Sequence, residues 1–313
     1  MKAIVTITLN PTIDSSCQAE EVRPVLKIRT SEERYDPGGG GINVARVIRE
    51  LGGEAIAVYL AGGLTGQVLT DMLERSGIDR RLVPIAGNTR VSHVVYERSS
   101  GQEYRFTPEG PVIQEGEWRA CLDELGRLDA EYIVASGSLP RGVPEDFYVQ
   151  VARIARRKRA RLVVDTSGEP LRAVLAEGVF LVKPNLRELE SVVGRRLADA
   201  AAQEAAAREV IGEGKAEIVA VSLGADGALL ATREGVLRLA APKVEPRSAV
   251  GAGDSFVAAM TLGLAEGRSP EDAFVLAVAT GTATVMTMGT ELCHREDVER
   301  IYRDIKASQM KAG

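Results

Sequence analysis

The sequence predicts an α/β protein, with a mainly parallel central sheet, helices on both faces and a small second β-sheet lying over it as a lid. Three observations carry this expectation. Short apolar, β-rich runs recur along the 313 residues, at 4–9, 55–60, 132–135, 162–164, 180–182 and 218–221. Between most of them lie segments with helical spacing of apolar residues, at 42–51, 69–75, 118–125 and 147–154. Strand and helix alternating in this way build βαβ units. Two stretches, 14–36 and 88–107, break the alternation and read as strands with polar alternation. They form the expected lid, and the whole of 1–313 reads as one α/β domain around it.

Each element follows from its own residues. The N-terminal segment Met1-Lys2-Ala3-Ile4-Val5-Thr6-Ile7-Thr8-Leu9 is too short and too interrupted by threonine for a signal peptide, and reads as a buried first strand. In the first excursion Lys27-Ile28-Arg29-Thr30 alternates as a strand. In the second, Arg90-Val91-Ser92-His93-Val94-Val95-Tyr96 does so, with Ser99-Ser100-Gly101 marking the turn. Residues 200–207 are Ala-rich and helical. Residues 153–159 carry a basic run at the end of a helix, where positive charge complements the helix dipole. The apolar stretch 273–288 contains four threonines and Gly281 and falls short of a membrane span.

Composition narrows the class. Hydrophobic content of 45% and charged content of 27% are ordinary for a globular protein, and a net charge of -5 argues against a dedicated nucleic-acid binder. Three distant cysteines form no disulfide framework, and two histidines supply no zinc-type spacing. A soluble cytoplasmic protein with no membrane or nucleic-acid partner is expected.

Chemistry concentrates in a few loops. Gly251-Ala252-Gly253-Asp254-Ser255 runs into the apolar pattern Phe256, Val257, Met260, Leu262, Leu264. N–H groups at such a helix start face anions, and Asp254 stands where it could take a proton from an attacking hydroxyl. The same residues also fit a helix N-cap behind a glycine turn. A dinucleotide fingerprint fits badly, since Phe256 stands where the third glycine belongs. A Walker A loop is absent, with Ala216 after Gly214-Lys215 where Ser or Thr is needed. Gly38-Gly39-Gly40-Gly41 opens onto a helix carrying Asn43, which suits close approach to a ligand better than a flexible connection. Lys27 with Arg29, and Arg90 with Ser92, are two apart on expected strands and would form a basic cup for a phosphate dianion, or a solvated edge. Asn185 and Glu188 could hold magnesium through water, or form a capping box.

Together Asn10-Pro11-Thr12-Ile13-Asp14, the glycine run with Ile42-Asn43-Val44-Ala45, Ser136-Gly137-Ser138-Leu139-Pro140, Lys183-Pro184-Asn185 and Gly251-Ala252-Gly253-Asp254-Ser255 resemble the ribokinase-like (PfkB) sugar kinases, in order and over nearly the whole chain. The resemblance implies a ribokinase-like three-layer α/β/α sandwich and an ATP- and Mg2+-dependent sugar-phosphate kinase. It implies Asp254 as catalytic base, with Gly251, Ala252 and Gly253 as anion hole. Lys183, Asn185, Ser222, Gly224 and Gly227 stand at nucleotide positions, and Glu188 completes an Asn-x-x-Glu magnesium pattern with Asn185. Asp14, Gly39, Asn43 and Ser138 match sugar contacts; Lys27, Arg29, Arg90 and Ser92 match the surroundings of the sugar phosphate.

Within the family, Gly40 in place of a common lysine, and the segment Gln102-Glu103-Tyr104-Arg105-Phe106, resemble kinases that phosphorylate the C1 hydroxyl of fructose 6-phosphate. Tagatose 6-phosphate and fructose 1-phosphate are the alternative substrates, and a sugar-phosphate sensor is the non-enzymatic one. Arg23 replaces an aromatic residue near a regulatory nucleotide in those kinases, which leaves inhibition by ATP open. Thr287 and Glu291 replace Asn and Arg near the family's monovalent-cation region, which leaves K+ as a further cofactor open. Two lids pairing by their apolar faces would make a homodimer.

Overall fold

The first strand, β1 (Ile4–Thr8), is buried along its whole length. The computed structural model describes residues 3–312, so Met1 and Lys2, read above with the first strand, and Gly313 lie outside the described residues. After β1 the chain leaves through β2 (Thr12–Ala19) and β3 (Thr30–Gly38), and returns as α1 (Gly40–Glu50), β4 (Ile56–Ala61), α2 (Gly63–Arg75) and β5 (Asp79–Pro84). A second excursion, β6 (Arg90–Glu97) and β7 (Gln102–Phe106), leads into α3 (Glu115–Arg127) and β8 (Tyr132–Ser136). Alternation resumes with α4 (Phe147–Lys158), β9 (Arg161–Asp165), α5 (Gly168–Ala176), β10 (Val179–Val182), α6 (Leu186–Val193), α7 (Ala200–Gly212) and β11 (Ala216–Ser222). The hairpin β12 (Ala228–Ala231) and β13 (Val236–Leu239) and the helices α8 (Ala252–Ala265), α9 (Pro270–Val285) and α10 (Arg295–Ala312) follow.

The large sheet has the order β13-β12-β11-β10-β9-β8-β1-β4-β5. It is parallel from β11 to β5, and only the terminal hairpin is antiparallel. Side-chain alternation sorts its residues between two faces. Val5, Ile7, Ile133 and Ala135 join a core with α3, α4, α5 and α7; Ile4, Tyr132 and Val134 join one with α1, α8, α9 and α10. Strands covered on both faces read as continuous apolar runs, which is why they stood out in the sequence. Chain order reverses at β1, with β4 and β5 on one side and β8 to β11 on the other. The crevice beyond the carboxyl ends of β1 and β8 is therefore a topological switch point.

The second sheet, β3-β2-β6-β7, draws its strands from both excursions. One expectation fails within it. Residues 20–29 form an irregular loop, β3 starts only at Thr30, and Lys27 and Arg29 are exposed on that loop and not on a strand face. Pro24 has no N–H to pair, and Val25 adopts φ 68, so the chain turns where alternation alone suggested extension. Strand β5 was not anticipated, because Asp79-Arg80-Arg81 gives an edge strand a polar face. Helix α10 was also not anticipated; its charged residues pair along the exposed side, as Arg295 does with Glu299. The basic run near 153–159 is largely solvated, with Arg153 and Arg156 paired to Glu177. No helix of the described residues is long and apolar enough to cross a membrane.

Candidate active site

Gly251 caps the start of α8 with φ 73, and a Cβ there would stand 2.5 Å from Leu292 Cδ2. Only glycine meets both conditions without strain. The first bond inside the helix runs from the Ser255 N–H to the Gly251 carbonyl, 2.8 Å. The N–H groups of Ala252, Gly253 and Asp254 therefore precede the helical ladder, at its electropositive end. Asp254 occupies the third helical position; the N-cap is Gly251, so the capping alternative for Asp254 does not hold. Its carboxylate instead accepts from Asn43 Nδ2 at 2.9 Å and Ser136 Oγ at 3.4 Å.

Burial pushes the pKa of Asp254 up to about 7, and repulsion from Asp165 adds to it; Asn43, Lys183 and Ser136 pull the other way. A carboxyl poised there is half ionised near neutrality. Asp165, at the end of β9, holds Lys183 Nζ at 3.1 Å. Burial alone would lower the Lys183 pKa, but Asp165, Glu188 and Asp254 outweigh it, so the ammonium is held above its ordinary value. A Cβ on Gly253 would lie 3.4 Å from Lys183 Nζ, which places that cation beside the helix start.

The residues expected around the nucleotide lie along the carboxyl ends of β10 and β11. Asn185 caps α6 and forms a reciprocal capping box with Glu188: Glu188 N–H donates to Asn185 Oδ1 at 2.9 Å, and Asn185 N–H to Glu188 Oε2 at 2.8 Å. Burial raises the Glu188 carboxyl, while the Asn185 N–H and Lys183 hold it down. Ser222 bridges to Asn185, and its N–H donates to the Pro184 carbonyl at 3.0 Å. Gly224 starts a short 3-10 turn, and Gly227, at φ 95, closes it.

On the other side stands the second sheet. Asp14 on β2 lies opposite Ser92 on β6 and Asp36 on β3. Burial raises its pKa to about 6 against the pull of Thr12, Arg46 and Arg90. Ser92 is buried, its N–H donating to Thr12 Oγ1 at 3.1 Å. Arg90 donates to the carbonyls of Asn10 and Pro108, at 2.8 and 2.9 Å. Gly39, at φ 110, caps α1, and Ser138 is exposed in the turn after β8. The fold thus brings Asp254, Asn43 and Lys183 together, with Asp14, Arg90 and Ser92 on the sheet opposite. It does not set Lys27 and Arg29 beside Arg90 and Ser92 on strand faces.

Sequence reasoning missed Asp165, Arg46 and Asp36, and quoted Ser136 within a motif without giving it a role. Asp165 did carry a signal, since a carboxylate ending the run Arg-Leu-Val-Val-Asp sits where parallel sheets bind ligands. Arg46, one helical turn beyond Asn43, looked like an ordinary helix cation.

A model of the pfkB family of carbohydrate kinases matches residues 3–297. The chain is 46% identical over 301 residues to ATP-dependent 6-phosphofructokinase isozyme 2 of Mycobacterium tuberculosis (strain H37Rv), covering 96% of this chain and 88% of that one. It is 41% identical to the isozyme 2 of Escherichia coli (strain K12), with 96% and 98% covered. Identity to 1-phosphofructokinase of Bacillus subtilis (strain 168) is lower, 32%, with 98% and 100% covered. Crystal structures of E. coli phosphofructokinase-2 superpose with TM-scores of 0.94 (with potassium), 0.93 (with fructose-6-phosphate) and 0.92 (a tetrameric inhibited form). Identities there are 40%, 39% and 39%, each covering 98% of this chain and 100% of the other.

Proposed function

This chain belongs to the pfkB family of carbohydrate kinases, and on that footing we propose that it transfers the γ-phosphoryl group of ATP to the C1 hydroxyl of fructose 6-phosphate, giving fructose 1,6-bisphosphate and ADP. The observation that carries the chemistry is the half-buried, desolvated Asp254 carboxylate, with a pKa of about 7, beside three N–H groups heading α8. Asp254 takes the proton as the hydroxyl oxygen attacks. Gly251 lets the turn form, and the N–H groups of Ala252, Gly253 and Asp254 bind the phosphoryl oxygens as charge develops. Lys183, Asn185, Ser222, Gly224 and Gly227 line the nucleotide. Asp14, Gly39, Asn43 and Ser138 orient the sugar, and Arg90 and Ser92 face its phosphate, with Lys27 and Arg29 reaching it from the loop 20–29.

Magnesium suits the donor set, because an amide oxygen and a carboxylate are hard ligands for an ion that keeps much of its water shell. Asn185 and Glu188 would hold it through water, and it would neutralise phosphate charge. Potassium is a further candidate near Thr287 and Glu291. Segments 14–36 and 88–107 close over the sugar as a lid on one α/β unit, and two lids pair in a homodimer. The enzyme works in the cytoplasm on small molecules, without nucleic acid or membrane. The choice of sugar rests on greater similarity to the 6-phosphofructokinases than to 1-phosphofructokinase. ADP release measured with fructose 6-phosphate, tagatose 6-phosphate and fructose 1-phosphate tests it. The highest kcat/KM is expected for the first; a higher value for another moves the assignment, and sugar binding without ADP release overturns the kinase reading.

A further inference from the structure

We infer that Asp36 and Arg46 are positioning residues that aim the amide of Asn43 at Asp254. The inference rests on the reading of Asp254 as the base.

Asn43 and Arg46 are three apart on α1 and so share a helix face. Asn43 is buried, and its amide has two chemically opposite ends. Turned one way it donates to a carboxylate; turned the other way it presents a carbonyl and repels one. Asp254 alone selects the donating orientation, but only while it is ionised. Arg46 can only donate, and its Nη1 donates to Asn43 Oδ1 at 3.3 Å. With the oxygen held there, Asn43 Nδ2 must face Asp254, to which it donates at 2.9 Å.

Arg46 is itself fixed. Its Nη1 also donates to the Pro37 carbonyl at 2.8 Å, and its Nη2 to Asp36 Oδ1 at 3.0 Å. Asp36 is buried, and its other oxygen accepts from Arg34 Nε and from Thr290 Oγ1, both at 2.8 Å. Arg34 in turn pairs with Glu291 at 3.1 Å. Asp36 and Arg34 lie on β3, in the second sheet, and Thr290 and Glu291 on the loop between α9 and α10. The foot of the second sheet is thereby tied through Arg46 and Asn43 to the base. The charged groups around Arg46 are Asp36 and Arg34 from β3 and Asp14 from β2. Those around Asp254 are Asp165 from β9 and Lys183 after β10.

The Asn43 bond favours the ionised base, so its loss moves the acid limb of activity to higher pH. The test is a double-mutant cycle of Arg46→Met with Asn43→Ala. Arg46→Met alone is expected to lower kcat about 10- to 100-fold, as small misplacements in active sites do. KM for ATP should stay within about twofold, and the acid limb should rise by about half a pH unit or more. In the Asn43→Ala background the same substitution should add less than about twofold. Losses that multiply in the double variant, or an unmoved acid limb, overturn the inference. Asp36→Asn, close to the parent in size, enters the same cycle if Arg46→Met fails to fold. Asp254→Asn distinguishes the two levels: full turnover in that variant overturns the base, whereas coupling between positions 46 and 43 tests the positioning.

Discussion

Asp254 meets two opposed demands. Desolvated and beside Asp165, its carboxyl is costly to ionise, yet the proposed chemistry needs the ionised form. Turnover should therefore rise with pH along a limb centred near 7, read from kcat/KM between pH 5.5 and 8.5. Asp254→Asn should keep substrate binding and lose about 10²- to 10⁴-fold in kcat, measured by steady-state kinetics and calorimetric titration. Stability gives an independent reading of the same group. Its folded pKa lies above the unfolded value near 4, so its stabilising contribution is complete below about pH 4 and lost as pH rises through about 7. The asparagine variant should accordingly melt a few degrees above the parent at pH 8, a gap that closes on acidification. Gly251→Ala has the opposite character. Its φ of 73 and the Leu292 contact should cost on the order of 1–3 kcal/mol by chemical denaturation, with loss of turnover.

At the scale of elements, α6 poses the sharpest question, since its capping box is fully formed in the fold. Replacing Asn185 by Ala should cost about 1 kcal/mol from the cap alone. Asn185→Asp separates the readings, because aspartate caps as well but alters the charge offered to magnesium. Unchanged melting with a shifted magnesium requirement in the kinase assay is the expected outcome. If the magnesium titration stays put as well, Asn185 is only a cap. The inner strands of the parallel sheet and most of the helices between them were legible because burial on both faces imposes a plain apolar pattern, whereas the polar edge strand β5 was not. The loop around Lys27 was not legible. A polar, solvated alternation is equally compatible with strand and coil, and Pro24 with the positive φ of Val25 decided between them.

At the scale of the whole molecule, the second sheet and its loop leave Val25, Leu26, Ile28, Tyr35 and Phe106 open to solvent. Apolar groups gathered on one substructure favour pairing with a second copy. Light scattering at micromolar concentration should give twice the chain mass, and Leu26→Asp should shift it toward the monomer; a monomeric parent overturns the assembly.

The sequence by itself determined the layered α/β topology, the two-excursion second sheet and the turn at Gly251–Asp254, because periodicity and glycine placement are local properties. What surrounds the Asp254 carboxylate in space was beyond it. The hydrogen bond from Asn43 to Asp254 spans 211 residues, and the Asp165–Lys183 pair joins the ends of two neighbouring strands. Desolvation and Coulomb interaction depend on what surrounds a group in space, and only the tertiary structure supplies those surroundings.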